Sequence, residues 1–117
     1  MKNTLAVFAL LLALFVGNSL HAEQAPMKCE TGPVKKEYGK TNWLVYSCTD
    51  NKTLVIVSDT GNPAMPFYFT FFLKNGSYNL TGEGTGSKEA TGPAFKDLSQ
   101  LKDKDISALI NETKNVK

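Results

Sequence analysis

The chain contains no arginine: all 13 of its basic residues are lysines. It therefore lacks the planar guanidinium fork that grips phosphates and carboxylates through two parallel hydrogen bonds. Its single histidine, His21, lies in an N-terminal segment that reads as removed on export. A mature chain without histidine builds no Ser-His-Asp or Cys-His catalytic site and offers no imidazole to a metal. A strong charge of one sign is missing too. With Lys2 gone, twelve lysines stand against eleven acids, and no basic block occurs. That excludes the usual electrostatic footprint of a nucleic-acid binder. The pattern D-x-[DN]-x-[DN]-G of a calcium loop is absent. Together these absences point away from an enzyme, a catalytic residue set, a metal, any other cofactor and a nucleic-acid partner.

Long apolar runs are scarce as well. The longest, residues 5–16, has twelve residues, short of the roughly 20 that a membrane helix needs. It follows Lys2 and precedes the small residue Ala22, the layout of a secretory signal peptide. The sequence predicts a cleaved signal over 1–22, no stable membrane anchor after cleavage, and one small domain over 23–117. Periplasmic or secreted localisation in a Gram-negative bacterium is the expectation. Cysteine is limited to Cys29 and Cys48. In an exported chain two such residues predict a disulfide, whose loop of about 20 residues stabilises by roughly 3 kcal/mol in the chain-entropy model.

What the chain does have is β pattern. Residues 66–73, Pro-Phe-Tyr-Phe-Thr-Phe-Phe-Leu, hold five aromatics behind a strand-initial proline. Period 2 puts Phe67, Phe69, Phe71 and Leu73 on one face, and Tyr68, Thr70 and Phe72 on the other. The Asn75-Gly76 pair predicts a tight hairpin into a one-sided outer strand over 77–81. Two further strands, 43–48 and 53–58, flank a polar turn, and the branched run in the second suggests burial on both faces. Gly32-Pro33 marks a turn, and 34–38 is a candidate edge strand.

After residue 82 the period changes. Ala90, Ala94, Phe95, Leu98 and Leu101 recur at helical spacing, and Pro93 places the helix start near Thr91. Asp103 reads as the N-cap of a second helix carrying Ile106, Leu109 and Ile110. Strands first and helices last give an α+β fold: an antiparallel meander of about four strands, with two short C-terminal helices packed on one face. Phe95, Leu98, Ile106 and Ile110 are expected to meet the sheet.

Two candidate sites emerge. The segment Gly82-Glu-Gly84-Thr-Gly86-Ser87-Lys88 has a strand-to-helix layout that can cradle an anion with backbone amides. Its spacing is one residue short of the phosphate-loop pattern, the order after Gly86 is Ser-Lys rather than Lys-Ser/Thr, and Glu83 sits among its glycines. The bland alternative is a flexible connection. The second candidate is the other sheet face, where Tyr68 and Phe72 join either Trp43/Val45 or Leu44/Tyr46 as an apolar patch. Trp43, Tyr46, Tyr68 and Phe72 are the residue types that anchor interfaces. The N-terminal segment held by Cys29 is the alternative occupant of that face. Loop carboxylates Asp50, Asp59, Glu83 and Glu89 could serve a hydrolase only as a facing pair.

Trp43-Leu-Val-Tyr-Ser-Cys-Thr-Asp-Asn-Lys, Asn62-Pro-Ala-Met-Pro-Phe-Tyr-Phe and Gly82-Glu-Gly-Thr-Gly-Ser-Lys resemble a family of small exported uncharacterised proteins of Gram-negative bacteria. The resemblance covers most of the mature chain and implies export; it implies no activity. Pro93 departs from the smooth helix of that pattern. In size, compartment and architecture the chain is also similar to small periplasmic lysozyme inhibitors. The expected function is a non-enzymatic module binding a protein or an envelope component. The alternatives are a small-ligand or anion-binding protein using residues 82–88, and an inhibitor of a cell-wall hydrolase.

Overall fold

The structure, a computed structural model, describes residues 26–116. The predicted signal peptide and its cleavage point lie outside them. Five strands form one antiparallel sheet in chain order: β1 (Thr31–Tyr38), β2 (Thr41–Ser47), β3 (Leu54–Ser58), β4 (Phe67–Lys74) and β5 (Ser77–Gly84). Two helices follow, α1 (Lys88–Ser99) and α2 (Asp103–Lys114). The α+β meander with its helices on one face is the observed architecture, and Cys29 and Cys48 are joined by a disulfide.

The core lies between the sheet and the helices. Alternation along the strands delivers Trp43 and Val45 from β2, Leu54 and Ile56 from β3, and Phe69 and Phe71 from β4. Ala94, Leu98, Ile106, Leu109 and Ile110 meet them from the helices. Trp43 is completely buried, and its indole N–H donates to the Tyr38 carbonyl (3.1 Å) and to Thr41 Oγ1 (3.0 Å). Burial of this polar handle is therefore matched by hydrogen bonds. Deeper in the same interface, the Thr113 hydroxyl donates to the Ile110 carbonyl (2.6 Å) and lies 2.6 Å from Ser47 Oγ. One hydroxyl has one proton, so Ser47 is the donor to Thr113. That pair ties α2 to β2 inside the core.

Several local expectations are corrected. The sheet has five strands rather than about four, because 31–38 forms a full strand. Gly32-Pro33 is not a turn: it sits where the β1–β2 register slips between Thr31 and Val34. Lys36 in β1 points toward the helices yet ends 3.0 Å from Glu112 of α2, so its charge does not oppose strand formation. β5 runs to Gly84, absorbing half of the glycine-rich segment. α1 starts at Lys88, not near Thr91, because Ser87 caps it by accepting from the Glu89 N–H. Pro93 consequently lies inside the helix, where its missing N–H leaves the Glu89 carbonyl without a helical donor. For α2 the capping position is Lys102 rather than Asp103, and the Asp105 carboxylate accepts the Lys102 N–H at 2.9 Å. Phe95 does not enter the core. It is 45% exposed at the rim, its ring 6.3 Å from that of Phe69. Leu73, on the core-facing side of β4, is also exposed beyond the reach of the helices.

Candidate functional site

The helices pack against one face of the sheet; among the described residues no element packs on the other. Registers place its side chains in rows. One row runs Lys35, Leu44, Val57, Tyr68, Glu83 across all five strands. The next runs Tyr46, Val55, Thr70, Thr81, and beyond it Phe72 pairs with Asn79. Apart from Thr70 on β4, the centre of the face is thus apolar or aromatic, and its other polar groups sit on the outer strands. Tyr68 is 40% exposed, while Leu44, Tyr46, Val55, Val57, Thr70 and Phe72 are half-buried by one another. Aromatic and branched side chains opposite each other stabilise such a face even where it meets water.

Charged groups frame it. Lys35 Nζ lies 3.1 Å from Asp59. The Tyr68 hydroxyl donates to Glu83 Oε2 at 2.9 Å. That hydrogen bond, followed by the carboxylate charge and slight burial, raises the Tyr68 pKa and keeps the phenol protonated. At this corner the face deepens into an open groove of about 400 Å³, lined by Val57, Met65, Pro66, Tyr68, Glu83 and Thr85. The groove is shallow and largely apolar, with one carboxylate at its edge.

The predicted interface residues divide. Tyr46, Tyr68 and Phe72 share the open face. Trp43 does not: it belongs to the core, and Leu44 takes the position on the open side. Val55 and Val57 are a gain. The branched run suggests burial on both faces, but within β3 only Leu54, Ile56 and Ser58 are buried. Residues 54–57 are all apolar, so the sequence carries no polarity signal that separates the two sets. Met65 and Pro66 carried no signal, since their part in the groove depends on how the 59–66 loop folds back.

The glycines of 82–88 have structural work. The N–H groups of Thr85 and Gly86 both donate to the Pro66 carbonyl, at 3.1 and 3.2 Å. A side chain at Gly84 or Gly86 would collide with the Pro66 or Ala64 carbonyl, so these residues allow the segment to press against the preceding loop. At Gly82 a Cβ would meet the Phe67 ring. The Ser87 carbonyl accepts from Ala90 and Thr91, and its hydroxyl accepts from Glu89. Lys88 lies away from the open face, beside a groove of about 350 Å³ between α1 and the Phe67–Phe69 pair.

The loop carboxylates are separately engaged. Burial pushes the Asp50 pKa up, but hydrogen bonds from the Thr53 hydroxyl and the Lys52 and Thr53 amides outweigh it, and the net shift is down. Asp59 is lowered chiefly by its hydrogen bond to Lys35, then by the Thr60 amide. Glu83 holds Tyr68, and Glu89 lies in the first turn of α1. Among the described residues, no helix is long and apolar enough to cross a membrane. Comparison with protein-family models, curated proteins and solved structures finds no match for this chain.

Proposed function

We propose that the chain is an exported, non-enzymatic interaction module that binds a protein or an envelope component through the open face of its sheet. The observation that carries this reading is the apolar centre of that face, Leu44, Tyr46, Val55, Val57, Tyr68 and Phe72, on which no described element packs. Contiguous exposed apolar surface with a polar rim is the ordinary anatomy of an interaction site. Export to the periplasm or beyond is supported by the signal-like residues 1–22 and by the Cys29–Cys48 bridge, which suits an oxidising compartment. Inhibition of a cell-wall hydrolase is one form this activity can take. An anion site at 82–88 has less support, because the Thr85 and Gly86 amides are already used by Pro66.

A photo-crosslinking residue placed at Tyr46 or Thr70 in producing cells tests the reading. The same residue at Ser107, an exposed position on α2, serves as the control. Discrete adducts are expected from the two face positions and not from Ser107, and Val55→Asp should remove them while the chain stays folded. Adducts absent from both face positions, or equally strong from Ser107, would count decisively against it.

A further inference from the structure

The two edges of the sheet differ in a way that the open face does not explain. An edge strand presents unpaired N–H and C=O groups, and proteins usually blunt such edges with proline, bulges or charge. β1 is blunted by all three: Pro33, the register slip between Thr31 and Val34, and the run Lys35-Lys36-Glu37. β5 is not. It pairs with β4 without a slip over eight residues, contains no proline, and carries one charge, Glu83.

The phase of its free groups can be read. The β4–β5 turn is the two-residue Asn75-Gly76, with φ of 55° and 79°, so Lys74 and Ser77 form the closing hydrogen-bonded pair. The Thr85 N–H to Pro66 carbonyl bond continues the same phase at the far end. Odd-numbered residues of β5 therefore bond to β4, and Tyr78, Leu80 and Gly82 turn their N–H and C=O groups outward. Among the described residues nothing else bonds to those groups.

We propose that this edge pairs antiparallel with the β5 edge of a second copy of the chain, about a two-fold axis at Thr81. The register follows from shape and charge. Centring on Thr81 sets Leu80 opposite the partner's Gly82 and Tyr78 opposite the partner's Gly84, all on the helix side. Each large side chain then lies beside a position with none, an arrangement that favours edge glycines. On the open side Thr81 faces Thr81, and Asn79 faces Glu83, so no like charges oppose each other. Two five-stranded sheets become one of ten strands. Growth stops there because the remaining edges are both the blunted β1, so the assembly is a closed dimer rather than a fibre. The pairing leaves the open faces uncovered and side by side, doubling the surface.

The test uses the purified, disulfide-bonded chain. Light scattering should show a concentration-dependent dimer. Hydrogen exchange at the Leu80 and Gly82 amides should slow by at least about tenfold as the dimer forms. Thr81→Cys should oxidise to a covalent dimer, because the two Cα atoms of a non-hydrogen-bonded pair lie about 4.5 Å apart. Asn79→Cys should not, because its two copies would be about 14 Å apart along the strands. A chain that stays monomeric at high concentration with fast-exchanging Leu80 and Gly82 amides overturns the proposal. So does cross-linking at Asn79 as efficient as at Thr81, or slowed exchange only when an unrelated extended peptide is added.

Discussion

Gly39 and Gly76 show how similar local signals carry different weight. Both occupy two-residue hairpin turns with positive φ, 61° and 79°, a conformation that L residues adopt at a cost of roughly 1–2 kcal/mol. A Cβ at Gly76 would meet nothing, whereas one at Gly39 would drive into the backbone of Pro93 and Ala94 in α1. The Gly39 N–H also donates to Asp97 Oδ2 at 2.6 Å, so the β1–β2 turn is clamped to the helix. Gly76→Ala is expected to cost about 1 kcal/mol, and Gly39→Ala more than about 2 kcal/mol because the turn must also move away from α1. Urea denaturation of the two variants checks the difference; equal losses would show that the clamp contributes nothing. The contact of Gly39 with a helix 50 or so residues later is not legible in the sequence, since nothing local announces it.

At the scale of elements, the strands are legible where period and turn chemistry agree. The Asn75-Gly76 hairpin and the aromatic β4 are the clearest cases: dihedral preference and side-chain alternation demand the same structure. For β1 the local sequence points to a turn and a short strand, because Gly-Pro is strong punctuation. Pairing with β2 overrides it, and the slip between Thr31 and Val34 accommodates Pro33. α1 begins earlier than its sequence suggests for a related reason. Proline opposes a helix interior, yet the Ser87 cap and the buried faces of Thr91, Ala94 and Leu98 hold the turn ahead of it. Replacing Pro93 by alanine restores a donor for the Glu89 carbonyl and removes the ring's clash with the preceding turn. Because Pro93 is exposed, Pro93→Ala should stabilise the protein by about 1 kcal/mol or more, with a matching rise in Tm. A lower Tm would mean that the ring makes a packing contribution against Gly39.

The whole molecule should respond to pH through Tyr38, Tyr68 and Tyr78. Burial, followed by the nearby Glu112 charge, pushes the Tyr38 hydroxyl up from 10.0 to about 12. Tyr78 is raised mainly by burial, and Tyr68 mainly by its bond to Glu83. A raised tyrosine pKa favours the protonated form in the folded state. The unfolded chain releases its proton first, so this contribution is intact below pH 10 and is lost as pH rises toward 12. Tyr38→Phe should flatten the fall in stability between those values, as followed by denaturant titration at a series of alkaline pH values. An unchanged slope would show that Tyr38 is not the group responsible. At the other end, Asp50 and Asp59 are lowered, so what they contribute is present above their ordinary value of 3.8 and is lost as pH falls below it.

Composition and local pattern were enough to specify the class of fold, the single disulfide, the hairpins and the division of β4 into two faces. These depend on residue types and on a period of two, which neighbouring residues alone can express. Which face the helices cover, and therefore whether Trp43 or Leu44 and Tyr46 stand beside Tyr68, was decided only in three dimensions. Alternation says that the two sets lie on opposite sides; it does not say which side of β2 aligns with which side of β4. That depends on the shared register through β3 and on α2 anchoring to β2 through Ser47 and Thr113, contacts between residues far apart in the chain. The same non-local packing put Trp43 in the core and left the Tyr46, Tyr68 and Phe72 face without a covering element among the described residues.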